Sequence, residues 1–162
     1  MNWISATWLN RRHSKIREVL PNHGLCLDVG SGGFPIFNTT VNLDFDAKVR
    51  PSVCADARCL PFRSGVFDQV YCSEAIEHFN EHDVFYDEVK KILREKGKLL
   101  VTSPQDSNLW DFVWWVWSRT IGRKWFDEHD RVFNVEEMGK FFDLILVDKV
   151  NYFLNLVIGE KV

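Results

Sequence analysis

The sequence predicts a single α/β domain whose mainly parallel, seven-strand sheet is covered by helices on both faces. Short apolar segments are separated by stretches that suit crossover connections. Most of these segments are apolar throughout rather than alternating, which is typical of parallel strands buried on both faces. The chain has 162 residues, about the length of one domain. The last strand is expected to run antiparallel to the others.

The elements follow from apolar spacing and from turn residues. An apolar face at helical spacing predicts an N-terminal helix over 3–19. A second such face predicts a helix over 81–95, capped by Asn80 and ended by Gly97. A shorter helix suits 134–142. The predicted strands are 25–29, 41–45, 52–55, 67–72, 98–103, 144–147 and 153–158, the last two paired around Asn151.

The composition is that of an ordinary globular protein. Hydrophobic residues make up 46% and charged residues 27% of the chain, and the net charge is −3. A duplex nucleic-acid binder usually has a basic excess, so nucleic acid is disfavoured as a partner. No apolar run approaches the roughly 20 residues that span a bilayer, and the start lacks the apolar core of a signal peptide, so we expect a cytoplasmic protein. The four cysteines form no Cys-x-x-Cys pair, which disfavours a metal site.

The connection after the first strand is short and rich in glycine. Gly30-Ser31-Gly32-Gly33 forms a turn, and 34–40 is too short and too rich in Pro and Thr for a full crossover helix. A dinucleotide fingerprint would need Gly or Ala at Pro35 and a helix N-terminus for the pyrophosphate. We therefore expect a ligand without a phosphate, bound beside a helix that is shortened or missing.

Acidic residues follow the second and third strands. Asp44 is placed to accept hydrogen bonds from both hydroxyls of a ribose, and Asp56 from the exocyclic amine of an adenine. Ligands of parallel sheets bind at the carboxyl ends of the strands, where both residues fall. With the glycine turn, these residues form a constellation that predicts an adenosine-containing ligand.

With these residues in this order, the chain resembles the class I S-adenosylmethionine-dependent methyltransferases, in the small branch typified by quinone-biosynthesis enzymes. The resemblance covers about residues 24–160 and implies a Rossmann-like three-layer sandwich with S-adenosyl-L-methionine as cofactor. Its carriers are Leu27-Asp28-Val29-Gly30-Ser31-Gly32, Ala55-Asp56-Ala57-Arg58-Cys59-Leu60-Pro61-Phe62, Gly65-Val66-Phe67-Asp68-Gln69-Val70-Tyr71, Glu77-His78-Phe79 and Lys96-Gly97-Lys98-Leu99-Leu100-Val101. Phe34 departs from the pattern, because the third family glycine would fall there.

The resemblance also implies which residues contact the cofactor. The glycine turn borders the methionine part with Asp28 beneath it, while Asp44 meets the ribose and Asp56 the adenine. The implied set, in which Ser73 and Glu74 close the pocket, is Asp28, Gly30, Ser31, Gly32, Asp44, Phe45, Asp56, Ala57, Ser73 and Glu74.

Catalysis needs few dedicated groups, because a sulfonium methyl is already a strong electrophile and transfer is an in-line displacement. His78, just beyond the fourth strand, is the best-placed base for an acceptor hydroxyl or amine, although it also suits a packing or capping role. Glu128 and His129 are weaker candidates. Nothing in this chemistry requires a metal.

The binding site for the methyl acceptor must be formed by the segments that least resemble the family. We expect one methyltransferase domain over 1–162, with an N-terminal helix in 1–20 and a Trp-rich lid insertion over 105–131. The aromatic insertion also suits an interfacial membrane helix or a homodimer contact. All three favour an acceptor that is at least partly apolar.

Together these features predict an S-adenosylmethionine-dependent methyltransferase that acts on a small or lipid-like acceptor by direct transfer. The alternative is a non-catalytic module of the same fold that binds a protein partner or a membrane surface. A nicotinamide-dependent enzyme is disfavoured by Pro35 and the missing helix. A nucleic-acid methyltransferase is a further alternative, but Ser73-Glu74-Ala75-Ile76 replaces the Asn/Asp-Pro-Pro-aromatic tetrapeptide that would suggest base amino groups.

Overall fold

The computed structural model describes residues 3–38, 40–104, 133–150 and 154–162. Within these ranges the helices are α1 (Trp3–Val19), α2 (His82–Ile92) and α3 (Val135–Met138). The strands are β1 (Cys26–Val29), β2 (Val41–Asp44), β3 (Val53–Cys54), β4 (Phe67–Ser73), β5 (Leu93–Pro104), β6 (Asp143–Val150) and β7 (Leu154–Glu160). The predicted insertion 105–131, including Glu128 and His129, and the turn at Asn151 lie outside the described residues.

The strands form one seven-stranded sheet in the order β3-β2-β1-β4-β5-β7-β6. The pairs from β3 through β5 are all parallel, and β7 lies antiparallel between β5 and β6. The predicted α/β fold with an antiparallel last strand is therefore confirmed. The strand order reverses at β1, between β2 and β4, and this is where open α/β sheets bind their ligands.

Apolar residues cover the sheet on both faces. On one face, Phe85, Val89 and Ile92 of α2 pack with Val70 and Leu99 of the central strands in a buried cluster. On the other face, Ile16 and Leu20 pack with a second cluster that includes Tyr71 and Leu100. Successive residues of one strand thus face opposite layers, as a sheet buried on both sides requires.

Two of the predicted helix boundaries are wrong. Helix α2 ends at Ile92, and the chain continues directly into β5 rather than remaining helical to Glu95. Leu93 already pairs with Phe67 of β4, so sheet pairing prevails over the helical spacing of the apolar residues. At the other end, Glu81 rather than Asn80 occupies the cap position and makes no side-chain cap hydrogen bond.

The predicted helix over 134–142 is also too long. Asn134 caps α3 by accepting from the amide of Glu136 at 2.8 Å, but the helix ends at Met138 and turns bring Phe142 into the core. The missing crossover helix after β1 is confirmed, since the described residues of 31–40 contain no helix. No described helix combines the length and hydropathy needed to cross a membrane.

Candidate cofactor and methyl-transfer site

A cleft of about 570 Å³ opens at the carboxyl ends of the first four strands. Its volume lies within the usual range of small-ligand pockets. It brings together seven of the ten predicted cofactor residues: Gly30, Gly32, Asp44, Phe45, Asp56, Ala57 and Glu74. The predicted base His78 also lines it, together with Phe79 and Asn80. Asp28, Ser31 and Ser73 do not line the cleft.

Glycine is favoured in the turn after β1 because Gly30, Gly32 and Gly33 all have positive φ. Gly30 has φ 70° and donates its N–H to the carbonyl of Leu43 at 2.8 Å. A Cβ at this position would lie 2.3 Å from the Cβ of Ala75, so no side chain fits here without a rearrangement. Gly32, at φ 57°, points its N–H to Asp44 Oδ2 at 2.8 Å. The turn is therefore fixed against both β2 and the turn after β4.

Asp44 ends β2 and lines the cleft. Its Oδ2 accepts from Gly32 and its Oδ1 from the amide of Asp46 at 2.9 Å. The carboxylate has about four acceptor positions, so two stay available for a ligand. Phe45 follows with 79% of its surface exposed, and it lines the cleft, as Asp56 does.

Asp28 lies beneath the turn rather than in the cleft. It is buried, and its Oδ2 accepts the amide of Ile36 at 2.7 Å, which holds the chain where the crossover helix is missing. Burial raises the pKa of Asp28 to about 7, against the lowering effects of the Ile36 hydrogen bond and of the Arg12 charge. Its role is therefore to support the turn.

Glu74 follows β4 in a left-handed conformation, at φ 55°. Its amide donates to the carbonyl of Thr102 at 2.9 Å, and its carboxylate lies 3.6 Å from Arg12 of α1. Burial raises the pKa of Glu74, and the nearby charge of Glu77 raises it further. Ser73, by contrast, hydrogen-bonds to the Thr102 hydroxyl at 2.9 Å and is buried in the sheet.

Side chains of α1, of the glycine turn and of the segment after β4 have buried polar atoms without a hydrogen-bond partner in the described part of the chain. They are Arg12 Nε, Ser31 Oγ, Glu74 Oε1 and Glu77 Oε2. Buried polar groups in folded proteins are nearly always paired, with protein, water or ligand. Glu74 lines the cleft and Arg12 lies beside it, so a carboxyl group and a guanidinium are placed together in a way that fits a zwitterionic group, such as the amino-acid end of S-adenosylmethionine.

Sequence reasoning missed Arg12 and Arg58. Arg58 contacts both Asp56, which lines the cleft, and Glu81, at the start of α2. The sequence does carry a signal for Arg58, which lies two residues after Asp56. An aspartate in a turn commonly accepts a hydrogen bond from the backbone amide two residues later. No signal in the sequence pairs Arg12 with Glu74, because 62 residues separate them.

Part of the chain is similar to known proteins in sequence. Residues 27–101 match the model of a methyltransferase-domain family. An uncharacterized protein of Methanocaldococcus jannaschii is 36% identical over 90 residues, which is 48% of this chain and 39% of that protein. The match thus spans about two fifths of the length of this curated relative.

Solved structures share the fold at low sequence identity. A protein of Pyrococcus horikoshii superposes with a TM-score of 0.74 at 17% identity, covering 99% of this chain and 92% of that one. Geranyl diphosphate C-methyltransferase of Streptomyces coelicolor, solved with Mg²⁺, geranyl diphosphate and S-adenosyl-L-homocysteine, gives 0.70 at 11% identity, with coverage of 94% and 77%. The resemblance to class I S-adenosylmethionine-dependent methyltransferases is confirmed in the fold and in the match of residues 27–101 to a methyltransferase-domain family, and S-adenosyl-L-methionine is the cofactor of that class.

Proposed function

We propose that this protein transfers the methyl group of S-adenosyl-L-methionine to a small or lipid-like acceptor by direct in-line displacement. One observation carries the proposal: the acidic ends of β2 and β3 and the glycine turn after β1 face one cleft, with Gly32 hydrogen-bonded to Asp44. A carboxylate held in this way is ready to accept two ribose hydroxyls without reorganising. Asp56, across the same cleft, is available for the adenine amine.

The methionine end of the cofactor is assigned to Arg12 and Glu74. The Arg12 guanidinium lies 3.6 Å from the Glu74 carboxyl group, and a cationic ligand group would favour the ionised form of Glu74, whose pKa is raised by burial. An amino-acid group carries the same two charges, and its ammonium suits Glu74 while its carboxylate suits Arg12. The unsatisfied Glu74 Oε1 and Arg12 Nε then gain partners.

When bound, the cofactor supplies a sulfonium methyl that needs no further activation. The chain's own residues hold the two substrates in line and exclude water. His78 is exposed, lies on the short 3₁₀ turn Ile76–His78, and lines the cleft, where it can take the proton of an acceptor hydroxyl or amine. A positioned base of this kind typically contributes 10²–10⁴-fold.

The acceptor class is inferred from apolar residues. Phe79 lines the cleft next to His78, and the Trp-rich insertion over 105–131 supplies further aromatic side chains by sequence. The Streptomyces coelicolor enzyme of the same fold was solved with geranyl diphosphate, a lipid-like molecule. Peripheral contact with a membrane, or a homodimer, through the insertion is part of this proposal.

The test is calorimetric titration with S-adenosylmethionine and S-adenosylhomocysteine. We expect micromolar binding by the wild-type protein and at least about a tenfold loss in Asp44→Ala, because two charge-assisted hydrogen bonds to the ribose disappear. Asp46→Ala is the matched control, since its backbone N–H, the group that contacts Asp44, is kept. If well-folded wild-type protein binds neither compound, the non-catalytic module becomes the better interpretation.

A further inference from the structure

The guanidinium group of Arg58 joins the loop after β3 to the start of α2. Arg58 Nε lies 3.0 Å from Asp56 Oδ1, and Nη2 lies 2.7 Å from Oδ2, so the two groups meet as parallel forks. The remaining arm, Nη1, donates to Glu81 Oε2 at 2.6 Å. The backbone amide of Arg58 also donates to Asp56 Oδ1, at 2.9 Å.

This bridge contributes little to the stability of the fold. The side chains of Arg58, Asp56 and Glu81 are 43%, 35% and 57% exposed, and ion pairs at such exposure contribute little to folding. Glu81 occupies the cap position of α2 yet makes no side-chain cap hydrogen bond, so its carboxylate serves Arg58 instead of the helix. What the bridge does fix is the orientation of the Asp56 carboxylate at the edge of the cleft.

We propose that Arg58 is a positioning residue that gives the cleft its preference for adenine over a deaminated base. The inference rests on the proposed function, in which Asp56 accepts from the exocyclic amine of the cofactor. Three donors of Arg58 occupy most of the roughly four acceptor positions of the carboxylate, so Asp56 has one direction left for a ligand. Both Asp56 and Arg58 line the cleft, and in this proposal the remaining acceptor position serves the base.

A hypoxanthine base would present a hydrogen-bond acceptor to Asp56 where adenine presents a donor. Its carbonyl oxygen replaces the amine and would face a carboxylate that has no proton to offer. The hydrogen bonds and charge of Arg58 hold the pKa of Asp56 below its usual range, so the group stays ionised. A carboxylate released from the fork could rotate to accept the N1–H of hypoxanthine instead. The preference for adenine therefore depends on the guanidinium holding Asp56 in place.

The experiment compares binding of S-adenosylhomocysteine and of its deaminated analogue, with hypoxanthine in place of adenine, by calorimetry. We expect the wild-type protein to favour the adenine compound by about tenfold or more, the usual effect of one charge-assisted hydrogen bond. Arg58→Lys keeps the charge but loses the fork, and Arg58→Gln loses both. In each the preference should fall below about threefold, while Glu81→Gln should give an intermediate value.

Arg94→Lys is the matched control, because Arg94 makes a similar surface pair with Asp68, at 2.7 and 2.8 Å, and neither residue lines the cleft. It should leave the preference unchanged. If the Arg58 variants weaken both compounds by the same factor, Arg58 only maintains the loop and the inference is overturned. If the wild-type protein binds S-adenosylhomocysteine but does not distinguish the two, the inference fails and the proposed function stands. If the folded wild-type protein binds neither, both fail.

Discussion

Replacing Gly30 by Ala should destabilise the protein far more than the same change at another glycine of similar conformation. Gly30 has φ 70°, and a Cβ there would lie 2.3 Å from the Cβ of Ala75. Gly65 has φ 64° and nothing within 4 Å of the corresponding position. A left-handed backbone costs Ala about 1–2 kcal/mol at either site, and overpacking typically costs a further 1–3 kcal/mol. We therefore expect losses of about 2–5 kcal/mol in Gly30→Ala and about 1–2 kcal/mol in Gly65→Ala.

The assay is urea denaturation followed by tryptophan fluorescence, with unfolding free energies from linear extrapolation. The double variant Gly30→Ala/Ala75→Gly removes the methyl group that clashes, so it should show a favourable coupling of about 1–3 kcal/mol in a double-mutant cycle. Cofactor affinity should follow the same order, because this contact joins the turn after β1 to the turn after β4. Equal losses in Gly30→Ala and Gly65→Ala, or no coupling with Ala75→Gly, would refute the steric reasoning.

Two further predictions concern proton-binding groups. Burial raises the pKa of Asp28 from 3.8 to about 7, so between these values the folded state binds a proton that the unfolded state has released. The free energy of unfolding should therefore fall as the pH rises from about 4 to about 7, by up to about 4 kcal/mol. Asp28→Asn keeps an acceptor oxygen for Ile36 and does not titrate, so its urea midpoints at pH 5 and pH 8 should differ less than those of the wild type. If the two midpoints differ as much as in the wild type, Asp28 is not the source of the pH dependence. His78→Ala should reduce turnover 10²–10⁴-fold with the acceptor that the wild type methylates, at unchanged affinity for S-adenosylhomocysteine; unchanged turnover removes His78 from the mechanism.

The parts of the site that were predictable from sequence are encoded locally. The turn after β1 and the acidic ends of β2 and β3 each occupy a few consecutive residues, and a parallel sheet brings strand ends together without further information. The same logic predicted the absence of a helix after β1, because too few residues separate Gly30 from Asp44. Segment length and turn chemistry were sufficient for these features.

What could not be predicted depends on contacts between distant residues. The N-terminal extension of β5 exists because Leu93 pairs with Phe67 across the sheet, whereas its local spacing is helical. The bridge from Arg58 to Glu81 joins residues 23 positions apart, and the side chain of a surface arginine carries no local sign of its partner. Apolar periodicity shows which residues are buried, but it does not specify polar pairs.

The packing of α1 on the short connection after β1 determines where Arg12 lies. Ile36, in that connection, is buried in the same cluster as Ile16 of α1, and Arg17 Nε donates to the Ile36 carbonyl at 2.8 Å. The N-terminal helix thus packs directly on the chain where a crossover helix is missing. Because α1 is held at this point, Arg12, one turn before Ile16, reaches Glu74, which lines the cleft. The short connection therefore supports the helix that carries Arg12 to the cleft, and the two features make up one arrangement.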